Sequence, residues 1–141
     1  TNKQICSIIR KMETNGIEIV TQTEGSTQCY RSKCRVTHKG KEYLVHYSQE
    51  GDPVTLRFDS QTLQMNRTGE TNISCKFQTG VNSTMLIGGY GRTGEIPVKT
   101  VAYLLSHILN ILTIRLKYDL IFSDRLQTFQ LDFKITTSEE K

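Results

Sequence analysis

Arg67 is the side chain of this 141-residue sequence whose type and position most invite a chemical reading. In the run from Leu63 to Arg67 its guanidinium shares alternation parity with Leu63 and Met65, while Thr62, Gln64 and Asn66 take the other face. If the apolar face lines an interior, Arg67 points inward near a strand end. Tyr43 and Tyr47 share a face with Val45, and Tyr118 shares one with Leu116 and Leu120, so these hydroxyls are expected on the same interior. An inward Arg among phenols suits a carboxylate or phosphate, because guanidinium offers a planar, bidentate fork. With Tyr90 from the glycine-rich stretch, the candidate ligand-binding set is Arg67, Tyr43, Tyr47, Tyr118 and Tyr90, and the candidate ligand is a small amphipathic or anionic molecule. The competing reading has Arg67 reaching out at a barrel mouth or pairing with a turn acid such as Glu70, and the tyrosines serving as core.

A second pattern is basic. Arg31, Lys33 and Arg35 alternate with Tyr30, Ser32, Cys34 and Val36, and Lys39 and Lys41 continue the run through a turn. Such a ribbon can meet RNA or an acidic protein by charge. It equally describes a solvated outer face or a guarded edge strand. No RNA-recognition aromatic motif accompanies it, and 18 basic residues spread against 14 acidic ones leave a net charge of only +4. Nucleic acid is therefore not the expected partner.

Other motifs weaken on inspection. The stretch Gly89-Tyr90-Gly91-Arg92-Thr93-Gly94 matches a dinucleotide fingerprint, but that site needs a strand–helix–strand unit. The segments upstream alternate as antiparallel strands, so a glycine loop between two strands is expected. The four cysteines include no Cys-x-x-Cys, and His38, His46 and His107 lack paired-ligand spacing. Cys29 and Cys34, five residues apart on a candidate strand, should point to opposite faces. Inert, reduced thiols are expected, with no metal and no cofactor. The absence of a Gly-x-Ser-x-Gly elbow, a His-Glu-x-x-His pair or facing carboxylates leaves no catalytic residue to nominate, and the expectation is a non-enzyme. The sequons at Asn66, Asn72 and Asn82 matter only in a secretory protein. The opening residues show no leader pattern, and Val101 to Leu112, broken by Ser106, His107 and Asn110, is too short to span a bilayer. A cytoplasmic protein without membrane contact is expected.

The elements that must position these residues are short strands. Turn signals recur at Glu24-Gly25-Ser26, Lys39-Gly40, Glu50-Gly51-Asp52-Pro53, Asp59-Ser60, Thr68-Gly69, Thr79-Gly80 and Ser123-Asp124. Between them apolar residues alternate: Tyr43, Val45, Tyr47; Val54, Leu56, Phe58; Ile73, Cys75, Phe77; Leu112 through Phe122; Phe129, Leu131, Phe133, Ile135. From Val98 to Leu112 the pattern also fits a helical stripe through Val101, Leu104, Leu105, Ile108, Leu109 and Leu112, but residues 98–105 are read as a strand turning at Ser106-His107. The total is about nine to eleven antiparallel strands with little or no helix. A 36% hydrophobic chain of this length has the means to form one core, and closure on itself removes free edges. The expectation is a single closed β-barrel over residues 1–141, with a frayed tail from about 137. An exposed edge would be compatible with a dimer, though no residue commits the chain to one.

The order of features resembles the YwiB-like family of uncharacterised bacterial proteins. The features are Ile17 to Gly25, the hairpin ending Tyr43-Leu44-Val45-His46-Tyr47-Ser48, the Leu56 strand, the Arg67-Thr68-Gly69-Glu70 turn, and Phe77 before Gly80. Tyr90-Gly91 and two long closing strands, the last running Phe129 to Ile135, complete the match over about Ile5 to Thr136. The resemblance implies a calycin-like, lipocalin-shaped barrel and no established activity. Two positions depart from the family pattern: Gly88-Gly89 stand before Tyr90 where a Thr-Pro step is usual, and Ser48-Gln49 follow Tyr47 where acidic residues are usual.

Overall fold

The computed structural model describes residues 15–137, which hold ten strands and no helix. They are β1 (Gly16–Thr23), β2 (Ser26–Lys39), β3 (Glu42–Gln49), β4 (Asp52–Phe58) and β5 (Leu63–Arg67), followed by β6 (Asn72–Phe77), β7 (Asn82–Gly89), β8 (Arg92–Ile108), β9 (Ile111–Ile121) and β10 (Leu126–Thr136). Each strand pairs antiparallel with the next, and β1 closes the barrel on β10, from Gly16 opposite Thr136 to Gln22 opposite Gln130. The fold is an up-and-down meander with the strand count expected from the alternation. The expected glycine loop is the tight turn between β7 and β8.

Alternation decides which side chains go inside. Val54, Leu56 and Phe58 of β4, Leu112 through Leu120 on the even positions of β9, and Leu131, Phe133 and Ile135 of β10 are all buried. The hairpin tips joining β1–β2, β3–β4, β5–β6, β7–β8 and β9–β10 gather at one end of the barrel, here the mouth end. At the opposite end Phe58, Phe77, Leu63, Val98 and Leu116 fill the interior completely. The tail expected to fray is tied at its first residue: Thr137 N–H donates to the Asn110 carbonyl at 2.9 Å, and Asn110 Nδ2 donates back to Thr137 O at 3.0 Å. Residues 138–141 lie outside the described residues.

The ambiguous segment is strand rather than helix, but the turn expected at Ser106-His107 falls later, at Leu109-Asn110, because β8 runs on to Ile108 in register with β9. A β-bulge explains the misleading pattern. Register shifts between Thr100 and Ala102, so Val98 and Thr100 face inward before the bulge, and Tyr103, Leu105 and His107 pair with inward residues of β9 after it. One extra residue thus turns period two into an apparent helical stripe. Val101, Leu104, Ile108 and Leu109, four members of that stripe, are exposed instead. Leu104 is 66% exposed while Leu116, opposite the neighbouring Tyr103, is fully buried. Replacing Leu104 with Glu is therefore expected to change unfolding free energy by no more than about 0.5 kcal/mol. Leu116→Ala should cost about 2–5 kcal/mol, both read from urea denaturation. A large loss from Leu104→Glu would contradict the bulged register.

Candidate functional site

Above the packed half, side chains of β1 to β6 and β10 line an open cavity of about 750 Å³ at the mouth end, whose rim extends to Cys29 and Arg31 on the outward face of β2. Its wall is apolar below, with Ile19, Val54, Met65, Ile73, Leu131 and Phe133, and polar above, with Gln28, Tyr30, Tyr47, Gln49, Glu50 and Arg67. Strand pairing explains why it reaches the surface there. β2 pairs with β3 only from Cys34 to Lys39, whereas its first half, Ser26 to Lys33, pairs with β1. Beyond Cys34 and Tyr47 the two strands therefore part. Across the opening the Tyr30 hydroxyl donates to the Ser48 carbonyl, and the Tyr30 and Tyr47 rings lie tilted with centroids 6.4 Å apart.

Arg67 faces inward, at the last position of β5 opposite Val54. Its Nε donates to Asp52 Oδ2 at 3.0 Å, and its Nη2 reaches the Gln49 carbonyl and Glu50 Oε1, each at 3.5 Å. Nη1 makes no hydrogen bond to any described residue. Asp52 is only 5% exposed and also accepts from the Glu70 and Thr71 N–H groups, at 3.2 and 3.3 Å. Desolvation pushes the Asp52 carboxyl up, but the bond from Arg67, the two backbone donors and the Arg67 charge together hold it below the ordinary carboxylate value. Gly69 makes the arrangement possible. Its φ is +135°, and a Cβ there would sit 2.2 Å from Asp52 Oδ1, so no larger residue fits between that turn and the carboxylate.

Tyr47 is the other member of the expected set on this cavity. It is 8% exposed, and burial, with Tyr30 beside it, pushes its hydroxyl pKa up against the lowering influence of Arg67. The phenol stays protonated, and its hydroxyl makes no hydrogen bond to any described residue. The remaining tyrosines do not converge on Arg67. Tyr43 lies at the opposite end, stacked on His38 at 4.0 Å and Phe58 at 5.4 Å, with its hydroxyl 3.2 Å from His107 Nδ1. Tyr118 is core, packed on Phe77 and Phe129. Tyr90 is 86% exposed in the β7–β8 turn. Parity places a residue inside or outside; its height along the barrel separates these four.

The basic ribbon lies on the outer wall, as its alternation requires. Arg31 is spanned by Glu18 at 3.6 Å, and Lys33, Arg35 and Lys39 follow along β2, with Lys41 in the turn. The same outer wall carries His46 opposite Arg35, Thr55 bonded to His46 at 3.2 Å, and the Arg57–Gln64–Lys76 row. The cations stand among neutral amides and hydroxyls rather than in a dense patch. Of the cysteines, Cys34 faces inward and Cys75 is buried, both as free thiols. Cys29 is disulfide-bonded, which corrects the expectation that every thiol is reduced. No group of three or more His, Cys, Asp or Glu able to hold a metal occurs among the described residues.

Four site residues escaped the reading of the sequence: Asp52, Glu50, Tyr30 and Gly69. Asp52 carried a usable signal, since it shares parity with Val54, Leu56 and Phe58 although it stands in a turn-like Glu-Gly-Asp-Pro context. Glu50 carried none, since its place on the rim follows from the backbone of its turn. It adopts φ +52° beside Gly51 at φ +88°, a two-residue turn that favours Asn-Gly, so a Glu there costs on the order of 1 kcal/mol.

A family model described as a domain of unknown function, DUF1934, matches residues 11–135. The crystal structure of the YwiB protein from Bacillus subtilis is similar in fold, with a TM-score of 0.71 at 12% identity, over 89% of this chain and 90% of that one. No curated protein matches the chain. These findings agree with the resemblance and the barrel read from the order of sequence features.

The Asp52 contacts predict a specific pH dependence. An unfolded Asp titrates near about 3.9, and the folded carboxyl lies lower, so between the two values the unfolded chain binds more protons. The stability that Asp52 contributes is therefore whole above about pH 4 and is lost as pH falls through its folded value. The gap in urea midpoint between wild type and Asp52→Asn should be constant from neutral pH to about pH 5 and shrink below about pH 4. A gap unchanged at low pH would contradict the assignment.

Proposed function

The chain belongs to the DUF1934 family, described as a domain of unknown function, and from the geometry of its own barrel we propose that it binds one small amphipathic molecule in the mouth-end cavity without transforming it. The carrying observation is the build of the cavity: an apolar floor under a polar rim, where the solvent-accessible Tyr47 hydroxyl and Arg67 Nη1 donate to no described residue. A ligand acceptor entering between β2 and β3 would meet both donors in place of water. Its apolar body would rest on Ile19, Val54, Met65 and Phe133. The volume lies within the range usual for small-molecule sites.

Because Asp52 balances the Arg67 charge, an anionic head group would be held by the guanidinium's directed donors rather than by net positive charge. The free thiols offer no ready nucleophile. Burial raises the Cys34 pKa to about 11, and burial raises that of Cys75 to about 11 against weaker lowering bonds, which leaves both as poor nucleophiles at neutral pH. The outer wall is largely polar, with scattered exposed apolar residues such as Leu86 and Leu104, over a largely apolar interior, the reverse of a membrane-spanning barrel, which supports an aqueous location. The disulfide at Cys29 favours an oxidising compartment over the reducing cytoplasm expected from the opening residues.

Native mass spectrometry on protein purified without denaturation tests this. A small-molecule adduct at one per chain is expected, lost after denaturing extraction and lost in Thr21→Trp, which places an indole on the cavity wall of a chain with no Trp. A bare-chain mass from wild type, together with no heat of binding on adding decanoate at millimolar concentration, would refute the proposal.

A further inference from the structure

Arg67 has two carboxylate partners, and they are built differently. Asp52 is buried, holds Nε at 3.0 Å and is fixed by two backbone donors. Glu50 has a side chain 79% exposed, meets Nη2 at 3.5 Å and takes no hydrogen bond from any other described residue. The first is a structural clamp; the second is a loose contact on the cavity rim beside Tyr47 and Gln49. Glu50 stands at a left-handed turn position, as Tyr90 and Leu109 do elsewhere in the barrel, and the two-residue turn is what brings its carboxylate to the rim beside Arg67.

We propose that Glu50 is a built-in competitor: its carboxylate holds the outer edge of the Arg67 guanidinium and yields that place to the carboxylate of a ligand, so the cavity selects apolar-tailed monocarboxylates over their neutral analogues. The inference rests on the cavity reading and adds a ligand class to it. Arg67 remains clamped by Asp52 throughout, which leaves the Nη2–Nη1 edge to exchange one carboxylate for another. The Tyr47 hydroxyl, a protonated donor lining the same cavity, adds a second bond to the incoming oxygen. Exposed ion pairs are weak, so displacing Glu50 needs little, and its removal should strengthen binding modestly.

Decanoate and the isosteric decanamide, titrated calorimetrically into wild type, Glu50→Gln and Arg67→Gln, separate the outcomes. Glu50→Gln keeps the turn geometry and is exposed, so its fold is expected to be intact. It should tighten decanoate about two- to fivefold and leave decanamide unchanged, while Arg67→Gln, checked for folding by circular dichroism, should lose the preference for decanoate. If Arg67→Gln does not fold, Arg67→Lys replaces it, since a point charge cannot offer the same bidentate edge and should lose part of the preference. Equal decanoate affinity in wild type and Glu50→Gln, with decanoate still bound, would overturn the competitor role alone. No binding of either compound to any variant would remove the cavity reading and this inference together.

Discussion

The mouth of this barrel depends on one ion pair. Asp52 begins β4 and Arg67 ends β5, and their 3.0 Å contact joins the turn before β4 to the turn after β5. Because Asp52 also accepts the Glu70 and Thr71 N–H groups, one carboxylate fixes three segments. Breaking one partner of such a pair leaves a desolvated charge, which is why the clamp is more than the surface contact Arg67 makes with Glu50. Gly69, for which no other residue is a substitute at that distance, lets the β5–β6 turn fold down over the carboxylate.

From that clamp the division of the interior follows. Opposite the mouth, aromatic and large aliphatic residues meet from every strand, and the space is full. Near the mouth the inward positions carry Thr21, Gln28, Gln49 and Val54, smaller or polar residues that leave room, and the parting of β2 from β3 leaves an entrance. A guanidinium held at the rim by its own carboxylate neither collapses into this space nor swings out to water. The wall therefore keeps its donors in place, a preorganisation that lowers what a ligand must supply.

Much of the fold was legible because alternation is a local property. The parity of Leu63, Met65 and Arg67 put the guanidinium inside, and that of β9 and β10 outlined the core. The bulge after Thr100 was not legible, since one inserted residue mimics helical spacing and only the partner strand reveals it. The site was half legible. Parity could not say that Tyr43 and Tyr118 lie deeper or at the far end, because height depends on strand stagger around the barrel. Nor did it reveal that Arg67 would meet Asp52 and Glu50 rather than Glu70, whose side chain yields the role to its own N–H. A carboxylate on the apolar parity of β4 was the missed clue.

Methyl NMR on the methionines tests the central claim most directly. Met65 lines the cavity, whereas Met85 is buried on β7 and lines no part of it. With ¹³C-labelled methionine methyls, adding decanoate should shift the Met65 resonance saturably and leave Met85 in place. An unmoved Met65 at saturating decanoate, or equal shifts at both positions, would contradict a barrel that takes its ligand at the Arg67 mouth.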